Sequence, residues 1–241
     1  MENYFENTTI FNFLIWIGTS LSGYILGNIY LKTKIKNTCD CCQSCLITDN
    51  EGYLRFSFHN KTNKQKAQDL TSFILYSLLY FTYSNINNRI DYHDPYQLFY
   101  ILLYFSSIFI FGLFCEIRGL QTSCSTGSVK KWPMVARIVY SLIGIIVLGT
   151  FGYHLYLAYD EKIIFYYVIS ILTIILYYIF IYYYYVNKEE HNIHIHHWFL
   201  GHMASLYFRF NNTFSNIAFM ISYGIFTQGL VNYGITDIFT T

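Results

Sequence analysis

Residues 135–158 read VARIVYSLIGIIVLGTFGYHLYLA, a run broken by charge only at Arg137 and by an imidazole only at His154. A bilayer hydrocarbon core about 30 Å thick needs roughly 20 mostly apolar helical residues. Val135–Ala158 therefore reads as a transmembrane helix. Working outward from it, six more segments take the same reading: Ile10–Leu31, Leu70–Asn85 (short, with Ala67 as an earlier start), Tyr96–Ile117, Ile163–Val186, His194–Phe210 and Phe214–Ile235.

The composition agrees. The 241 residues are 54% hydrophobic and 21% aromatic, and only 12% are charged, against about 25% in soluble domains. A formal net charge of +1, with no basic domain, excludes nucleic acid as a partner. Membrane lipid is the expected partner. The predicted fold class is all-α, a polytopic integral membrane helical bundle of about seven transmembrane helices. Residues 1–31 form the outer N-terminus and first helix. Residues 32–69 form a basic, Cys-containing cytoplasmic loop, polar enough for part of it to be disordered. Residues 70–241 form a six-helix membrane region.

Charge orients the chain. With the N-terminus outside, seven crossings leave only Arg89, Lys162 and Arg209 on the outer side. The remaining basic residues fall inside, as the positive-inside rule requires. The C-terminus is then cytoplasmic, in the plasma membrane or an endomembrane. The first segment is not expected to be a cleaved signal, because Glu2 and Glu6 precede it where a signal carries positive charge. All six cysteines face the reducing side in this topology. Cys39, Cys41, Cys42 and Cys45 lie just past the first helix among lysines, a setting for acylation. Cys42-x-x-Cys45 also has zinc-like spacing, but the second such knuckle of a closed zinc site is missing.

The sixth segment carries the polar chemistry. On a helix at about 100° per residue, His191, His194, His197, Gly201, His202, Ser205 and Arg209 share an arc of about 140°, and His196 points away. Polar groups in lipid are costly and face the bundle interior. Three readings compete. His194 and His197, with His191 or His202, have the imidazole donors and the spacing for a divalent metal, and so for a metal-dependent membrane enzyme acting on a lipid. Alternatively His194, His197, Gly201, His202, Ser205 and Arg209 bind a lipid headgroup, an ion or a proton. Or the stripe bonds its neighbouring helices. His59, His93 and His154 are isolated, and no Asp falls within the predicted spans.

Glycine punctuates two other segments. Gly23 and Gly27 suit close helix packing. Gly224, Gly229 and Gly234 recur every five residues, so they either wind around the last helix or break it. Taken together, His194-Ile-His196-His197-Trp198, Arg209-Phe210, the three glycines and Asp237 resemble the C-terminal membrane region of fungal LCCL-domain-containing proteins. Similar regions occur in other eukaryotic multi-pass proteins. The resemblance implies membrane location and marks His194, His196, His197 and Arg209. It implies no reaction. The match departs at Ser205–Phe208, where the family has a small, proline-containing stretch.

Overall fold

The computed structural model describes residues 2–38, 62–84, 86, 97–114, 133–186, 192–193, 197–234 and 239–240. Seven helices occur among them: α1 (Glu2–Thr38), α2 (Asn63–Tyr83), α3 (Gln97–Phe114), α4 (Met134–Asp160), α5 (Ile164–Val186), α6 (His197–Tyr207) and α7 (Thr213–Tyr233). The remaining regular structure is one short antiparallel pair, β1 (Asn192–Ile193) with β2 (Phe239–Thr240), in the register Asn192–Thr240 and Ile193–Phe239. The chain is thus all-helical in substance. Three helical stretches are long and apolar enough to cross a membrane: Thr9–Tyr30, Met134–Asp160 and Thr213–Asn232. They mark the chain as membrane-associated.

Several boundaries differ from the sequence expectation. The polar loop expected at 32–69 is helical at both ends, because α1 runs on to Thr38 and α2 begins at Asn63. A capping box starts α2. The Thr62 hydroxyl accepts from the Gln65 backbone N–H, and the Gln65 side chain accepts from the Thr62 N–H at 2.8 Å. That cap lets the polar turn Asn63–Gln68 join the helix ahead of the apolar residues. The sixth segment shortens instead. Asn192 and Ile193 are extended, and helix runs only from His197 to Tyr207. Eleven residues rise about 16 Å, roughly half of a hydrocarbon core.

The contacts divide the chain into two compact units. Unit 1 comprises residues 1–111 and 196–236 and holds α1, α2, most of α3, α6 and α7. Its helix directions follow from paired residues. Phe13 meets Phe81, Trp16 meets Ser77 and Tyr24 meets Phe73, so α1 and α2 are antiparallel. Trp16 packs on Phe219 and Gly27 on Val231, so α1 and α7 run together. Gly23 lies under the Tyr104 ring and Gly27 beside Ile108, which aligns α3 with both. His202 meets Tyr80 and Arg209 meets Tyr83, so α6 follows α2, opposite to α7.

Small residues permit these approaches, as expected for Gly23 and Gly27. At Gly201 a Cβ would lie 2.5 Å from the Phe226 backbone N and 2.8 Å from the Ser222 carbonyl O. At Gly224 it would lie 2.6 Å from the Ser107 Cβ and 2.9 Å from the Tyr104 carbonyl O. So α7 is clamped between α6 and α3 at backbone distance. Neither Gly224 nor Gly229 breaks the helix. Gly234 ends it, with φ at 73°, a conformation that L side chains rarely adopt.

Unit 2 comprises residues 112–195 and 237–241 and is built on the helical hairpin α4–α5. The hairpin turn places Lys162 at φ 59°. Ala136, Thr150, His154 and Ala158 on α4 are buried, as is Tyr167 on α5. Large apolar side chains cover the other faces, with Leu148 70% and Phe165 69% exposed.

Candidate functional site

The polar side chains of unit 1 gather in a layer across its middle. Tyr223 sits halfway along α7, sealed at 1% exposure. Its hydroxyl shares a 2.7 Å hydrogen bond with Ser77 of α2. Its ring stacks on Trp16 of α1 and on Tyr104 of α3, each with centroids 4.9 Å apart. The Tyr104 hydroxyl is 3.1 Å from the Thr227 hydroxyl and 3.4 Å from the Ser20 carbonyl oxygen. The Trp16 ring N–H donates to the Ser77 carbonyl at 2.9 Å. On the α6 side, the Tyr80 hydroxyl and His202 Nδ1 share a hydrogen bond of 2.5 Å. The Tyr76 ring stands edge-on to the imidazole at 4.6 Å.

The layer is built from the local helix patterns. Asp69, Phe73, Ser77 and Tyr80 form the buried line of α2, three or four residues apart. Ser20, Ser77, Ser205 and Thr227 each turn the hydroxyl proton back to a carbonyl of the preceding turn. This satisfies the donor inside the helix. The Ser77 and Thr227 oxygens remain available to tyrosines of other helices. Side-chain bonds between helices thus link α2 to α6, α2 to α7, and α3 to α7 at nearly one depth.

The predicted stripe is split by this arrangement. Gly201 packs on α7, His202 bonds to Tyr80, and Ser205 is buried and bonded to the Gly201 carbonyl at 2.8 Å. These three make the α2–α6–α7 joint. Arg209 leaves the helix, because α6 ends at Tyr207. It is half-buried at the α6–α7 turn, where one guanidinium nitrogen donates to the Tyr83 hydroxyl at 3.1 Å. Its guanidinium carbon lies 5.4 Å from the Tyr83 ring centre. Asn212 caps α7 beside it, accepting from the Ser215 N–H at 2.8 Å. The extended residues Asn192 and Ile193 lie within the stretch on which one helical face was expected to carry His191, His194 and His197.

His191, His194 and His196, the side chain of His197, and Cys39, Cys41, Cys42 and Cys45 lie outside the described residues. Among the described residues, no three His, Cys, Asp or Glu side chains are grouped to hold a metal ion. His154 is buried in unit 2 and donates from Nδ1 to the Thr150 carbonyl at 2.8 Å. Asp69 is a buried carboxylate that the sequence reading left outside the spans. Its signal was present. It stands four residues before Phe73 and eight before Ser77, on the line that buries both. Tyr76, Tyr80, Tyr104 and Tyr223 were also missed as polar partners, because tyrosines are abundant along the whole chain.

Comparison of the chain with protein-family models, with curated proteins and with solved structures finds no match.

Proposed function

We propose that this is a multi-pass transmembrane protein of seven crossings, N-terminus outside and C-terminus cytosolic, whose Arg209 holds the phosphate of a lipid headgroup. Residence in the plasma membrane or an endomembrane, and kinship with the fungal LCCL-type C-terminal region, are parts of the same reading. Helix direction supports the count, although α6 alone is too short to span the hydrocarbon core. Within unit 1, α1, α3 and α7 run one way and α2 and α6 the other. The end of α3 and the start of α6 therefore lie at the same end. Two crossings by α4 and α5 between them would keep that parity.

One observation carries the headgroup reading. Arg209 is a half-buried cation at the end of two packed helices, in a chain whose described helices expose many large apolar side chains. Tyr83 holds its guanidinium from one side. A planar guanidinium fork suits phosphate oxygens. The test is anionic phospholipid retained by detergent-purified protein, read by native mass spectrometry. A hydrogen bond to a charged group contributes about 1.5–3 kcal/mol, so Arg209→Ala should weaken retention roughly tenfold or more, with partial rescue by Arg209→Lys. Equal retention by wild type and Arg209→Ala would sink the headgroup reading. The rival, a metal-dependent lipid enzyme using His191, His194 and His197, rests on side chains that lie outside the described residues.

A further inference from the structure

Tyr80 of α2 and His202 of α6 pair a buried phenol with a buried imidazole, at 0% and 3% exposure. The Tyr80 hydroxyl and the His202 Nδ1 are 2.5 Å apart, at the short end of hydroxyl hydrogen bonding. A neutral imidazole carries one bare nitrogen, which accepts from a phenol O–H. The pair so read holds an acid and a base in direct contact.

Neighbouring rings connect this pair to the outside of unit 1. Tyr76 is half-buried, on a turn of α2 that also exposes Leu75 and Leu79. Its ring centre is 4.6 Å from the imidazole, and the imidazole and Tyr80 rings are 5.7 Å apart. Inward, Tyr80 is 5.2 Å from Tyr223, which stacks on Trp16 and Tyr104 at 4.9 Å. Oxidisable rings thus lie in one contiguous series, but they are not equivalent. The Tyr223 hydroxyl meets Ser77 and the Tyr104 hydroxyl meets Thr227. The Trp16 ring N–H meets the Ser77 carbonyl. A hydroxyl or carbonyl oxygen does not take up a proton at neutral pH. Removing an electron from those rings would leave a buried cation, which is costly. At Tyr80 the loss of an electron can be matched by transfer of the phenolic proton to His202, and histidine is the side chain suited to moving protons near neutrality.

We infer that Tyr80 is a one-electron donor, that His202 is its proton acceptor, and that the oxidant is a lipid peroxyl radical of the surrounding acyl chains. The apolar exterior selects that oxidant, which dissolves where Leu75, Tyr76 and Leu79 reach the surface. The step balances. The peroxyl radical takes one electron, relayed through Tyr76, and one proton from water at headgroup level, and becomes a hydroperoxide. Tyr80 supplies the electron. Its O–H bond breaks and the proton bonds to Nδ1, leaving a neutral phenoxyl radical beside an imidazolium. The site thereby ends a radical chain in the lipid and holds the spin inside the protein.

The experiment places the full chain in nanodiscs of polyunsaturated phosphatidylcholine with a lipid-soluble azo initiator under oxygen. Samples are freeze-trapped and read by electron paramagnetic resonance. Wild type should give a tyrosine phenoxyl signal, coupled to a solvent-exchangeable proton and to a histidine nitrogen. Without oxygen no peroxyl radical forms, and the signal should be absent. Tyr80→Phe should lose the signal. His202→Gln keeps a polar side chain but no base, and should slow radical formation roughly a hundredfold. The histidine coupling is read on wild type, so the assignment stays testable if a variant fails to fold. A wild type without a phenoxyl signal, a signal without histidine coupling, an equal signal without oxygen, or an unchanged signal in either variant would overturn it.

Discussion

His202 shows how a polar residue in an apolar helix can be read two ways. In sequence it belongs to a histidine cluster with metal-like spacing. In the fold its ring is 3% exposed, bonded to Tyr80 and flanked by Tyr76. The bond should behave as a coupled pair. Tyr80→Phe and His202→Phe should each destabilise by about 1 kcal/mol or more, and the double variant should cost less than their sum. Denaturant unfolding of the four proteins checks this; strict additivity would mean that the contact contributes nothing. Gly201 sets a steric test. Gly201→Ala pushes a methyl group into the α7 backbone and should cost about 1–3 kcal/mol. Gly149→Ala, which meets nothing within 4 Å, should be neutral or mildly stabilising.

Helices were legible in the sequence where hydropathy alone decides them. The fourth, fifth and seventh segments end within two residues of α4, α5 and α7. The second and sixth did not, for opposite reasons. Asn63–Gln68 is polar, so no apolar period reveals it, yet a side-chain cap begins the helix there. His194–Phe210 is apolar enough to suggest a span, but β pairing at Asn192–Ile193 and the turn after Tyr207 confine it to eleven residues. The site was half legible. The one-face stripe found Gly201, His202 and Ser205, but pattern could not show which helices they pack against. Nor could it find Tyr80, Tyr104 and Tyr223, whose partners are distant in sequence. On α7, Gln228 is 4% exposed and neither amide atom makes a hydrogen bond. Gln228→Leu should therefore stabilise the protein by about 1–3 kcal/mol, the usual penalty of an unsatisfied buried group. A lower unfolding midpoint would contradict this.

At the scale of the molecule the surface is inverted relative to a water-soluble fold. Hydroxyls, imidazoles and amides lie inside, and Leu148, Phe165, Leu176 and Phe180 lie outside. The protein should resist carbonate extraction from membranes, and a tag following Thr241 should be labelled only after permeabilisation; labelling on intact cells would refute the proposed orientation. The candidate spans differ in one respect. Within the spanning window, 72% of the residues of α7 are buried and only 6% of those of α4. That contrast bears on biosynthesis. The fourth helix presents an oily surface that can partition from the translocon on its own. The seventh carries Ser215, Asn216, Thr227 and Gln228, and it is shielded only once α1, α2, α3 and α6 surround it. Its entry into the bilayer should wait on its neighbours, so that a chain with α1 replaced by an unrelated hydrophobic anchor leaves α7 uninserted and prey to quality control.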